Sequence, residues 1–106
     1  MSEYSGEIVY DDLQAHELSI LTEFFKMLGD PTRIHLLFLL MEQDACVSDL
    51  AKRMGMTQTA VSHQLSLLKA NKLVRQRRSG KMIIYTLVDN HVRTVIEKGT
   101  EHVLFR

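Results

Sequence analysis

A chain of 106 residues with 45% apolar content is expected to form a single domain over residues 1–106, too short to carry a catalytic unit beside it and too apolar for a disordered chain. Its 13 Lys+Arg balance 13 Asp+Glu, but the charge is sorted: residues 1–50 hold ten acids against two bases, and Lys52 to Lys81 hold eight bases and no acid. No apolar run approaches a membrane span, the N-terminus lacks the basic and apolar regions of a signal peptide, and Cys46 alone closes no intrachain disulfide, so a cytosolic protein is expected.

Residues 1–10 show no period and read as an arm. From Asp11 to Leu28, Leu13, Leu18, Leu21, Phe24, Phe25 and Leu28 recur at helical spacing, and Gly29 ends that helix. Asp30 caps a second helix with Pro31 at its first position, where a missing N–H leaves nothing unpaired. Ile34, Leu36, Leu37, Phe38, Leu39 and Leu40 make it apolar on nearly every side, as a central core helix must be. A short third helix spans Val47 to Met54 and is closed by Gly55. Thr57 caps a fourth, which runs to Asn71. Leu73–Arg78 and Lys81–Leu87 read as strands around Ser79-Gly80, with Ile83, Tyr85 and Leu87 alternating. Asp89 starts a last helix, Asn90 to Leu104. The fold class is mostly α with a small β-wing.

The third and fourth helices, residues 47–71, are joined by a short turn containing Gly55, the pattern of a helix–turn–helix. Val61, Leu65 and Leu68 share one face of the fourth helix. Gln58, Thr59, Ser62, Ser66 and Lys69 share the other, with His63 at its rim. A face of short polar side chains and a cation, free of acids, can enter a major groove, where Gln pairs with adenine and Ser or Thr bonds to base edges or phosphates. The plainer reading is a solvated face, but such faces are usually rich in Glu. In the hairpin of residues 73–87, Arg77, Arg78 and Lys81 crowd the turn. They suit phosphate or minor-groove contact, which adds affinity and salt dependence but little sequence information. A charged hairpin that only discourages edge pairing is the alternative.

His91 and His102 are eleven residues apart, so they point the same way within about 20° and lie roughly 16 Å apart along the axis. One subunit cannot close a metal site with both. Two copies packed antiparallel about a two-fold axis would bring His91 of one beside His102 of the other, twice per dimer. Val92, Val95, Ile96 and Val103 offer an apolar stripe for that packing, with Gly99 permitting close approach. Asp89 can reach the same place. Imidazole and carboxylate without thiolate suit Zn(II) or Co(II). The residues alone leave the alternative open, with Asp89 a helix cap and the histidines ordinary surface groups.

Taken together, Phe24-Phe25-Lys-Met-Leu-Gly-Asp-Pro-Thr-Arg-Ile, Cys46-Val-Ser-Asp-Leu-Ala, Thr57-Gln-Thr-Ala-Val-Ser-His-Gln-Leu-Ser-Leu-Leu and Arg78-Ser-Gly-Lys-Met-Ile-Ile-Tyr resemble the ArsR/SmtB family of bacterial metal-sensing repressors. Asp89-Asn-His91 followed by His102 resembles the C-terminal-helix site of its zinc-sensing branch. The resemblance implies a winged helix–turn–helix homodimer, joined through helices 11–28 and 90–104. It implies binding to operator DNA when metal-free and release when metal binds at the dimer interface through Asp89, His91 and His102. Two departures stand out. The family's thiolate segment Cys-Val-Cys is here Cys46-Val-Ser48, which argues against a thiolate sensor and leaves Cys46 as a buried small side chain or a member of a mixed site with His16. The usual fourth ligand of the C-terminal site falls on Phe105, leaving water or Glu101 for that position. An alternative is a winged-helix regulator answering a non-metal signal. An enzyme is not expected: there is no glycine-rich phosphate loop, no His-Glu-x-x-His segment and no nucleophile–base pair, and with them no small-molecule substrate.

Overall fold

The computed structural model describes residues 6–106. After one 3-10 turn at Tyr10–Asp12 come α1 (Ala15–Leu28), α2 (Pro31–Glu42), β1 (Ala45–Cys46), α3 (Val47–Met54), α4 (Gln58–Ala70), β2 (Val74–Ser79), β3 (Met82–Leu87) and α5 (Asn90–Leu104). Residues 1–5 of the expected arm lie outside the described residues.

The first helix starts four residues later than its apolar spacing predicts. Asp12 turns back on the chain, its carboxylate accepting the Val9 N–H at 3.0 Å, and the backbone is extended at Leu13 and Gln14. A short acidic side chain that bonds its own backbone competes with the helix. α1 begins only where the Gln14 N–H finds the Glu17 carboxylate at 3.0 Å. At the α1–α2 corner Asp30 accepts the Arg33 N–H at 3.0 Å, while the Arg33 Nε–H donates to the Met27 carbonyl at 2.9 Å, satisfying an acceptor that the end of α1 leaves open.

Leu36, Leu37, Leu39 and Leu40 of α2 are buried, so α2 is the core helix its composition predicts. Around it pack Leu50 and Ala51 of α3, Val61, Leu65 and Leu68 of α4, Leu73, Val74 and Tyr85 of the hairpin, and Val92 and Ile96 of α5. Gly55 closes α3 in the left-handed region at φ 64°, and the Met56 N–H returns to the Ala51 carbonyl at 3.0 Å. That cap sets the sharp turn into α4.

The sheet has three strands in the order β1-β3-β2, both pairings antiparallel. β2 and β3 run from Val74↔Leu87 to Ser79↔Met82, one residue in from the expected strand starts, and Gly80 turns the hairpin at φ 63°. β1 is an addition: Ala45 and Cys46 pair with Tyr85 and Ile84. Two residues are too few to show a strand period.

Candidate nucleic-acid interface and metal pair

Thr57 accepts the Ala60 N–H at 3.1 Å and so fixes where α4 begins and which residues face out. With Val61, Leu65 and Leu68 buried, Gln58, Thr59, Ser62, His63, Ser66 and Lys69 are all exposed along the opposite side. Gln58, Thr59, Ser62, His63 and Ser66 line a shallow hollow with Val47 of α3. A hollow lined by hydroxyl and amide groups, with no carboxylate among those side chains, can hydrogen-bond a polar edge.

On the wing, Arg77, Arg78 and Lys81 are exposed, as are Arg75 and Lys52, two further cations of the basic block. They do not act as one cluster. Arg77 pairs with Asp44 at 3.5 Å, on the connector between α2 and β1, and Arg53 of α3 pairs with Glu42 at 2.9 Å. Neither acid is near its partner in sequence, so no local spacing announced these pairs.

Asp89 is the N-cap of α5. One carboxylate oxygen, Oδ1, accepts the N–H of His91 at 2.9 Å and of Val92 at 3.3 Å. The other, Oδ2, stands 3.5 Å from His91 Nδ1. Burial pushes the Asp89 carboxyl up, but the hydrogen bonds from the His91 side chain and from the Val92 and His91 backbone, with the charge of His91, outweigh it and leave the carboxyl below its ordinary 3.8. Capping and ligation are therefore compatible, since they use different oxygens. His102 is exposed in the last turn of α5, at the far end from this pair. Among the described residues no three His, Cys, Asp or Glu side chains gather as a metal site would require. The chain thus presents two separated donor groups, an Asp–His pair and a lone His, whose N/O chemistry fits a borderline divalent ion. Glu101 faces Lys98 at 3.4 Å, and Phe105 follows α5 as an exposed non-ligand. Cys46 is buried with Sγ 3.2 Å from Ser48 Oγ, while His16 is exposed on α1.

The stripe expected along α5 divides. Val92 and Ile96 are buried in the chain's own core, with Ile96 at the floor of a groove that the more exposed residues continue. Val95, Gly99 and Val103 lie on the same broad side of α5, and with Ile96 they line an apolar groove with Phe25 of α1 and Phe38 of α2. A 3.6-residue period reports that a helix has an apolar side, but not that the side is wide enough to serve two neighbours.

Residues 30–76 match the sequence profile described as "Bacterial regulatory protein, arsR family". The chain is 42% identical over 83 residues to the transcriptional repressor SmtB homolog of Synechocystis, covering 78% of this chain and 63% of that protein. It is 34% identical over 92 residues to the cadmium resistance transcriptional regulatory protein CadC homolog of Staphylococcus aureus, covering 86% and 76%. Its fold superposes, with a TM-score of 0.80 and 25% identity, on the homodimeric winged helix–turn–helix DNA-binding domain Mb0332 of Mycobacterium bovis, over 94% of this chain and 90% of that one.

Proposed function

Since this chain belongs to the arsR family of bacterial regulatory proteins, we propose that it is a metal-responsive transcriptional repressor that binds operator DNA as a homodimer and leaves it when Zn(II), or a similar ion such as Co(II), binds between the protomers. The observation that carries this reading is the arrangement along α5: an Asp89–His91 pair at one end, His102 on the same side at the other, and, among the described residues, no group of three donors around either. Asp89 and His91 of one protomer and His102 of the partner subunit would hold the ion, which supplies a cross-link between two helices.

Dimerisation is supported by the groove between α1, α2 and α5. Phe25 and Val103 are 54% and 53% exposed, far more than large apolar groups lining a groove ordinarily are. A Cβ at Gly99 would meet nothing within 4 Å, so the protomer's own packing does not require glycine there. A second α5 closing on this face would. DNA binding is supported by the exposed, acid-free face of α4. Gln58, Thr59, Ser62 and Ser66 would read base edges, while His63, Lys69, Arg78 and Lys81 would hold phosphates, joined by Arg77 when it is free. Such a regulator works beside the genome, in the cytoplasm. Among the described residues no helix is long and apolar enough to cross a membrane.

Release follows from linkage. Two reading helices engage two half-sites only when they sit about one turn of DNA apart. An ion held across the α5 pair favours one crossing of those helices, and an ion that prefers a different crossing from DNA must lower DNA affinity. The test is fluorescence anisotropy of a labelled inverted-repeat operator from upstream of the gene, with metal-free protein and then with Zn(II). Release from the wild type but not from His102→Ala supports the reading. Binding that ignores Zn(II) replaces it with a winged-helix regulator answering a non-metal signal.

A further inference from the structure

Arg77 and Arg78 are neighbours in sequence but lie on opposite faces of the sheet. In an antiparallel ladder, paired residues share a face and successive residues alternate. Gln76 pairs with Tyr85, which pairs with Ala45, and this face carries Tyr85 into the core. Arg77 pairs with Ile84, which pairs with Cys46, on the other face. Asp44, two residues before Cys46, is on that same face. To meet Asp44 Oδ2 at 3.5 Å, the Arg77 side chain must lie back across β3 toward the body of the protein, not outward from the wing edge.

The acid it meets is held in place. The pairing of Ala45 with Tyr85 fixes the backbone immediately after Asp44. On the other side, Arg93 of α5 donates to the carbonyl of Met41 at 2.6 Å, tying the end of α2 to α5. Arg77 has the long side chain, and Asp44 the anchored backbone. Their contact is a single one between half-exposed groups, 57% and 42% accessible, so a DNA phosphate can take the guanidinium once the carboxylate is neutralised.

We propose that Asp44 is an intramolecular counter-anion that holds Arg77 off DNA and thereby sets the affinity and salt dependence of the wing. The inference rests on the DNA-binding reading above. In the wild type Arg77 stays on Asp44 and gives DNA no contact; with Asp44 neutralised, Arg77 reaches a phosphate. The connector thus works as a brake built into the fold.

The test uses the whole metal-free protein and a fluorescein-labelled mixed-sequence duplex long enough for both protomers, titrated at several NaCl concentrations. Asp44→Asn should bind roughly threefold more tightly at low salt, and its slope of log affinity against log salt should steepen by about 1.8, the signature of one more phosphate contact from each protomer. Asp44→Ser must reproduce both changes. Arg77→Gln combined with Asp44→Asn should match Arg77→Gln alone. Tightening that persists in the Arg77→Gln background would mean general repulsion by Asp44, and the proposal would be wrong. It is equally wrong if Asp44→Asn changes nothing while Arg78→Gln still weakens binding, a result that leaves the DNA reading intact. If neither the wild type nor any variant binds the duplex, the DNA reading fails and the brake fails with it.

Discussion

Asp89 joins two tasks in one carboxylate: Oδ1 closes the start of α5, and Oδ2 stands beside the His91 imidazole. The two can be separated by substitution. Asp89→Ala removes both and should destabilise the protein by about 1 kcal/mol, as loss of a good N-cap does. Asp89→Asn keeps the capping oxygen, because Asn ranks with Asp at this position, but lacks the charge a cation needs. It should keep wild-type stability in urea denaturation while losing zinc affinity in a chelator competition. Equal zinc affinity for Asp89→Asn and the wild type would remove Asp89 from the site. At this scale the sequence is legible where a residue acts on its own neighbourhood. Asp30, Thr57 and Asp89 all cap the helices that their positions announce. It is silent where a residue acts across the fold: Arg77 with Asp44, Arg53 with Glu42 and Arg93 with Met41 each span chain that local spacing does not connect.

α4 is the element where fold and proposed function divide most cleanly, one face each. Leu65 is fully buried, so Leu65→Ala should cost about 2–5 kcal/mol through lost contacts and the cavity it leaves. Ser66, next to it, is exposed, and Ser66→Ala should change stability by less than about 0.5 kcal/mol while weakening operator binding. Thermal melting and anisotropy on the same two variants check the pair. The bounds of α3, α4 and α5 were readable to within a residue, and the start of α2 from Asp30 and Pro31. The start of α1 was not, because Asp12 bonds locally and an apolar period cannot register that. β1 was not, because two residues have no period. Along α5 the apolar side was readable, but which of its residues are buried, Val92 and Ile96, and which stay open in the groove, such as Val103, depends on where the other elements lie.

At the scale of the whole molecule, the chain leaves open an apolar groove between α1, α2 and α5 and an acid-free face on α4. A dimer closed through α1 and α5 would cover the first and pair the second. Val103→Asp tests this without disturbing the protomer's core, since Val103 is 53% exposed. The variant should fold with wild-type helicity, sediment as a monomer and lose operator affinity, because one protomer engages one half-site. A Val103→Asp protein that sediments with the wild type as a dimer places the interface elsewhere. The outline of a DNA-binding module was legible because charge sorting and the helix–turn–helix spacing both lie along a continuous stretch of chain. The proposed metal site was legible only in halves. Among the described residues nothing gathers its donors, and the Asp89–His91 pair and His102 stand at opposite ends of the same helix.

The central claim is that the site is completed only across two protomers, and mixed dimers address it directly. His91→Ala and His102→Ala chains carrying different tags would be co-expressed and the mixed dimer purified, then titrated with Zn(II) against a competing chelator. Each homodimer should bind zinc poorly, since both of its sites are damaged. The mixed dimer, in which one site keeps every donor, should bind a single zinc with wild-type affinity. A mixed dimer no better than its parents, or a parent that already binds as the wild type does, would contradict a site shared through α5.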